Sequence, residues 1–187
     1  MQYLKGTPNL GLEFKRDPNQ KDINNEQHLK AYFDASWGGW ESHLETTMKS
    51  TSGYIITFMN TPISWGSTLQ KGKPAQSSGE SEYIAAYHGA TELMYINNIA
   101  KFLQIRETNK PLKCYSDSSA CIGMSKNPVN HKRNKHIMLK YHWVRISVES
   151  SEIILEYINT NEQPADILTK TIKTHIQYRY LRSKLLS

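Results

Sequence analysis

The stretch from Ser78 to about Leu103 has no proline, is rich in Ala, Leu, Met and Glu, and is preceded by Ser77, three residues before Glu80. That spacing is a capping box, and a run of this length predicts one long helix. Glu82 shares a helical face with Ala85, Ala86 and Gly89, small residues that let a helix lie close to a sheet.

The sheet is written on both sides of that helix. Leu29, Ala31 and Phe33 alternate with Lys30, Tyr32 and Asp34, the period of a strand, which ends at Trp37-Gly38-Gly39-Trp40. Gly53 to Met59 is β-rich, and Asn60-Thr61-Pro62 is expected to turn the chain into a third, antiparallel strand at Ile63 to Gly66. Beyond the helix, Pro111 to Ser116 reads as a fourth strand and Asp117-Ser118-Ser119-Ala120 opens a short helix. A helix from about His136 to Ser150 and a fifth strand from Glu152 to Ile158 come next. Pro164 at a first helical turn puts Asp166 at a helix start, and a last amphipathic helix is expected from about Lys173 to Leu186. The pattern is that of an α/β fold.

Residues 1–27, with Pro8, Gly11, Asp17-Pro18-Asn19 and a polar run to Gln27, read as a linker, leaving 28–187 as one domain that includes the last helix. No apolar run is long enough to span a bilayer, and Met1 to Lys5 lacks a secretory pattern, so the expectation is an intracellular chain away from membranes. Cys114 and Cys121 form neither a zinc pattern nor a disulfide framework and are expected as small buried thiols.

The net charge of +6 suits a polyanionic partner, and its distribution is uneven. No Asp or Glu occurs from Ser118 through Val148, after Asp117, while Lys126, Lys132, Arg133, Lys135, Lys140 and Arg145 all fall there. Such a run is either a solvated helical face or a phosphate track. His131, His136 and His142 lie in the same arm, but their spacing does not stack them on one helical face, so no zinc is expected.

Four carboxylates stand where elements meet: Asp34 late in a strand, Glu82 on the long helix, Asp117 at a strand end and Asp166 at a helix start. Singly, an Asp at such a position is usually a cap or turn former. Crowded together they would repel, and a divalent metal is the natural remedy. Oxygen ligands favour Mg²⁺ or Mn²⁺, and two ions roughly 3.5 to 4 Å apart can carry out in-line hydrolysis of a phosphodiester.

The motifs Asp34-Ala35-Ser36-Trp37, Pro62-Ile63-Ser64-Trp65, Ser81-Glu82-Tyr83-Ile84-Ala85, Asp117-Ser118-Ser119-Ala120, Lys126-Asn127-Pro128, Lys135-His136-Ile137 with Tyr141-His142, and Glu162-Gln163 through Lys170 cover nearly the whole chain. In them the sequence resembles the ribonuclease H domain of copia-type LTR retrotransposon polyproteins. The resemblance implies a ribonuclease H-like fold with a mixed five-stranded sheet, three antiparallel strands then two parallel, flanked by helices. It also implies catalytic and metal-binding roles for Asp34, Glu82, Asp117 and Asp166 with two Mg²⁺ ions. Glu80 competes for the helix position, but the family's Glu precedes an aromatic or aliphatic residue and Ile-Ala, as Glu82 does.

The implied substrate is the RNA strand of an RNA/DNA hybrid, with Ser118, Arg133, Lys135 and Lys140 as candidate backbone contacts. The implied partner is the polymerase region of the same polyprotein, in cytoplasmic virus-like particles. The loop His that many ribonucleases H carry before the last Asp is missing from Asn159-Thr160-Asn161. Two other readings are an inactive nucleic-acid-binding remnant, and an integrase or transposase that would use Glu152 and leave Glu82 and Asp166 without a task.

Overall fold

The computed structural model describes residues 5–14, 29–38, 48–105, 110–126 and 135–187; of 135–138 and 141 only the backbone is described. The strands are β1 (Leu29–Ser36), β2 (Thr51–Phe58), β3 (Thr61–Leu69), β4 (Leu112–Ser116) and β5 (Ile153–Tyr157). The helices are α1 (Ser78–Phe102), α2 (Ser119–Lys126), α3 (Lys135–Glu149) and α4 (His175–Ser183), with two 3-10 turns at Thr160–Glu162 and Pro164–Leu168.

The strands form one sheet in the order β3-β2-β1-β4-β5. β1 is antiparallel to β2 and β2 to β3, while β1, β4 and β5 run parallel, the mixed sheet that the motifs imply. The hairpin turns earlier than expected. Met59 and Asn60 both have positive φ, 52° and 64°, as a two-residue type I′ turn requires. Thr61 and Pro62 therefore begin β3. Pro62 has no N–H for the ladder, and it is accommodated because β3 is an edge strand whose register shifts beside it, opposite Ile56 and Thr57.

The period of two assigns each β1 side chain to a face. Leu29, Ala31, Phe33 and Ala35 point into the main core, with Ile56, Tyr83, Ala85, Ala86, Ala90, Leu93, Cys114, Cys121, Val144, Ile153 and Leu155. On that side α1 lies directly on the sheet. A Cβ built at Gly89 would stand 2.4 Å from the Phe33 ring and 2.9 Å from Tyr54 Cβ, so only glycine permits this approach. The start of α1 has the expected cap: Ser77 Oγ accepts the Glu80 N–H at 3.1 Å, and the Glu80 carboxylate accepts the Gln76 N–H at 2.7 Å.

Asp34 and its partner Gly53 point to the other face. There the second 3-10 turn crosses the sheet, and again a glycine admits it: a Cβ at Gly53 would meet Thr169 Cγ2 at 2.5 Å and Leu168 Cβ at 3.1 Å. The helix expected from Pro164 is thus a short 3-10 segment, held by what it packs on and not by its own length. The lead at 5–14 is tied to this body in part. Gly11 and Ser187 exchange both backbone hydrogen bonds at 3.1 Å, and the Glu13 carbonyl accepts the Thr61 hydroxyl at 3.0 Å. Among the described residues no helix is long and apolar enough to cross a membrane.

Candidate functional site

The parallel strands deliver β1 and β4 to the same end of the sheet, and α1 starts above that end. Three carboxylates from these three elements meet there. One oxygen each from Asp34, Glu82 and Asp117 lies within 4.8 Å of the other two. Asp34 is 1% exposed and Glu82 8%, whereas Asp117, one residue past β4, is half-buried and open to solvent.

Asp166 approaches from the far side on the second 3-10 turn and is 4% exposed. Two anchors hold that turn. Gln163, fully buried, donates its side-chain N–H to the Phe33 carbonyl at 2.9 Å. Thr169 donates its hydroxyl to Asp34 Oδ2. Lys170 then spans the two acids, with Nζ 3.0 Å from Asp166 Oδ1 and 3.7 Å from Asp34 Oδ1. On the other flank Thr160 donates its hydroxyl to Asp117 Oδ2 at 2.7 Å.

Crowding sets the electrostatics. Burial, then the charges of Asp34 and Asp117, push the Glu82 carboxyl up to about 9, although the Ala35 N–H and Lys170 act against this. Burial and the charge of Asp34 raise Asp166 to about 7, with Lys170 opposing. Burial alone would lower the Lys170 ammonium, but Asp34, Asp166 and Asp117 outweigh it and hold its pKa above the ordinary lysine value. Glu82 Oε2 is buried with no hydrogen-bond partner. An orphaned oxygen on a buried carboxylate that meets two others is what a hard divalent cation would satisfy, so the residues present fit such an ion.

Glu80 and Glu82 separate cleanly: Glu80 is part of the helix cap and Glu82 faces Asp34 and Asp117. Glu152 is exposed, just ahead of β5. Of the candidate backbone contacts, Ser118 caps α2 by accepting the Cys121 N–H at 3.2 Å, which leaves its hydroxyl hydrogen to donate. Lys140 lies with its ammonium 5.3 Å from the Tyr87 ring centroid, and its burial lowers its pKa. Arg133 and the Lys135 side chain, like Lys132, His131 and the His136 side chain, lie outside the described residues, as does most of the lead before residue 29. Cys114 and Cys121 are free, fully buried thiols, held protonated by burial.

Thr160, Gln163, Thr169 and Lys170 complete the site, and sequence reasoning gave none of them a role there, although Gln163, Thr169 and Lys170 lie in a motif that carries the resemblance. Lys170 carried a usable signal, since it stands four residues after Asp166, a spacing that lets the two side chains meet. The others act across 43 to 135 residues of sequence, where periodicity is silent.

The sheet order and helix placement are those of a ribonuclease H-like domain. Solved structures agree: an LC11 ribonuclease H1 in complex with RNA/DNA hybrid aligns with 75% of this chain and 93% of its own, at 12% identity and a TM-score of 0.52. A foamy viral protease-reverse transcriptase aligns with 85% of this chain and 21% of its own, at 16% identity and a TM-score of 0.53. No protein-family model matches. Within that fold the chain is similar to one part of the retrovirus-related Pol polyproteins of plant transposons. It is 37% identical over 172 residues to those of transposon RE1 of Arabidopsis thaliana and transposon TNT 1-94 of Nicotiana tabacum. Each match covers 92% of this chain but only 11% and 12% of the polyproteins, so the chain corresponds to about a ninth of these relatives.

Proposed function

We propose that this chain is a metal-dependent ribonuclease H that hydrolyses the RNA strand of RNA/DNA hybrids during reverse transcription of a retrotransposon. The observation that carries this reading is the meeting of Asp34, Glu82 and Asp117, with Glu82 Oε2 orphaned, at the end of a ribonuclease H-like sheet. A structural neighbour solved with an RNA/DNA hybrid, and the polyprotein relatives, support this choice of substrate class.

Asp34 stands between two groups of acids. Glu82 and Asp117 would share one Mg²⁺ or Mn²⁺ with it, and Asp166 would share a second. Ions so held supply water activation on one side of a phosphate and stabilisation of the leaving oxygen on the other. The protein's own part is orientation. Thr160 fixes the Asp117 carboxylate, Thr169 fixes Asp34, and Gln163 holds the turn that carries Asp166. No side chain need act as a nucleophile. The hybrid would be read through its backbone and 2′-hydroxyls across a shallow minor groove, with Ser118, Arg133, Lys135 and Lys140 as backbone contacts. The polymerase region of the same polyprotein is the partner this context implies, and virus-like particles in the cytoplasm the place of action.

The test incubates the purified chain with labelled RNA/DNA hybrid and Mg²⁺, beside duplex DNA and an Asp117→Asn variant. Cleavage of the RNA strand by the wild type, lost in the variant, is expected. Hybrid binding with no cleavage would leave a binding remnant, and strand transfer into duplex DNA would mark an integrase.

A further inference from the structure

Both oxygens of Asp34 are engaged by the chain's own donors, Oδ2 by the Thr169 hydroxyl and Oδ1 by the Lys170 ammonium. The same ammonium reaches Asp166 Oδ1 at 3.0 Å. Lys170 therefore joins the two carboxylates that a shared divalent ion would join. The charges differ in their freedom. The Asp34 and Asp166 side chains are 1% and 6% exposed, while that of Lys170 is 37% exposed. The acids are fixed in the protein, and the lysine reaches over them from solvent on a flexible four-carbon stem.

We propose that Lys170 is a displaceable internal cation: its ammonium holds Asp34 and Asp166 together in the metal-free chain, and a divalent ion must expel it to bind there. The inference rests on the reading of these acids as a metal centre. Without a cation, the charge of buried Asp34 acts on its neighbour Asp166 and the two carboxylates repel. One positive charge relieves that repulsion in part. A double charge relieves it further, so exchange is downhill once metal is present, but every binding event must first break the lysine's two contacts. Lys170 is a positioning residue in this account. It keeps the empty site folded and weakens the apparent metal affinity.

The experiment titrates the full chain with MnCl₂ by calorimetry and records melting curves with and without the metal. Lys170→Gln is expected to bind Mn²⁺ about tenfold more tightly than wild type and to melt at a lower temperature when metal-free. Lys170→Arg, which retains the charge, stays within a few-fold of wild type. Lys173→Gln removes an equal charge from an exposed residue three positions on and controls for net charge. Wild type and Lys170→Gln binding Mn²⁺ equally, or the variant binding more weakly, overturns the inference while leaving the metal centre in place. Absence of Mn²⁺ binding by every variant, Lys170→Gln included, removes the metal centre and the inference together. If Lys170→Gln fails to fold, Lys170→Met makes the same comparison.

Discussion

The side-chain amide of Gln163 donates to the backbone carbonyl of Phe33 at 2.9 Å, across 130 residues of sequence. This bond fastens the turn carrying Asp166 to the strand carrying Asp34, one residue beyond Phe33. Gln163 is fully buried, so nothing in solvent can replace it.

Replacing Gln163 with Leu should therefore leave the Phe33 carbonyl unsatisfied and cost about 1–3 kcal/mol. The loss would appear as a lower denaturation midpoint in urea with an unchanged slope. Metal affinity should fall with it, because Asp166 loses its anchor. A variant with wild-type stability and affinity would remove Gln163 from this role.

Gly89 and Gly123 make a matched pair on two helices. A side chain at Gly89 would collide with Phe33 and Tyr54, whereas nothing lies within 4 Å of a Cβ at Gly123. Gly89→Val should destabilise by about 1–3 kcal/mol or fail to fold. Gly123→Ala should be neutral or add up to about 1 kcal/mol through helix propensity. Thermal melts of the two variants decide it, and equal melting temperatures would contradict the close approach of α1 to the sheet.

The raised carboxyls give stability a pH dependence of definite sign. The folded chain holds protons on Glu82 and Asp166 that the unfolded chain has released, Glu82 between about 4.5 and about 9 and Asp166 between about 3.8 and about 7. Their contribution is thus fully present at the acid end and lost as pH rises through those values. In EDTA the melting temperature should fall from about pH 5 to about pH 9. Mg²⁺ should reverse the trend, because its ligands bind as carboxylates. Glu82→Gln should flatten the metal-free profile, and an unchanged slope in that variant would assign the effect elsewhere.

Thr160 orients Asp117 through a 2.7 Å hydrogen bond. Thr160→Val keeps the shape and removes the donor, and about a tenfold loss of metal affinity is expected, the scale seen when a ligand loses its hydrogen-bonded support. Thr160→Ser should restore it. If Val and Ser variants bind Mn²⁺ alike, the bond has no such part.

The order of elements was legible because its signals are local. Ser77 and Glu80 mark the start of α1, alternation marks β1, and Pro111 and Pro164 punctuate the later elements. Errors arose where tertiary contact competes with local pattern. Pro62 reads as a turn residue, yet an edge strand with a register shift accommodates it, and the type I′ turn uses Met59, an uncommon residue for positive φ. At the site, the expected carboxylates were visible because acids at element ends are conspicuous. Their supports were not: Gln163, Thr160 and Thr169 are ordinary polar residues until the fold brings them to Phe33, Asp117 and Asp34.

The reciprocal bonds between Gly11 and Ser187 hold these two residues side by side. Residues that exchange both bonds stand about 5.5 Å apart at Cα, a gap that a few linking residues close. A circular permutant joined there and reopened at the exposed turn around Gly72 would keep all five strands paired and all four carboxylates in register.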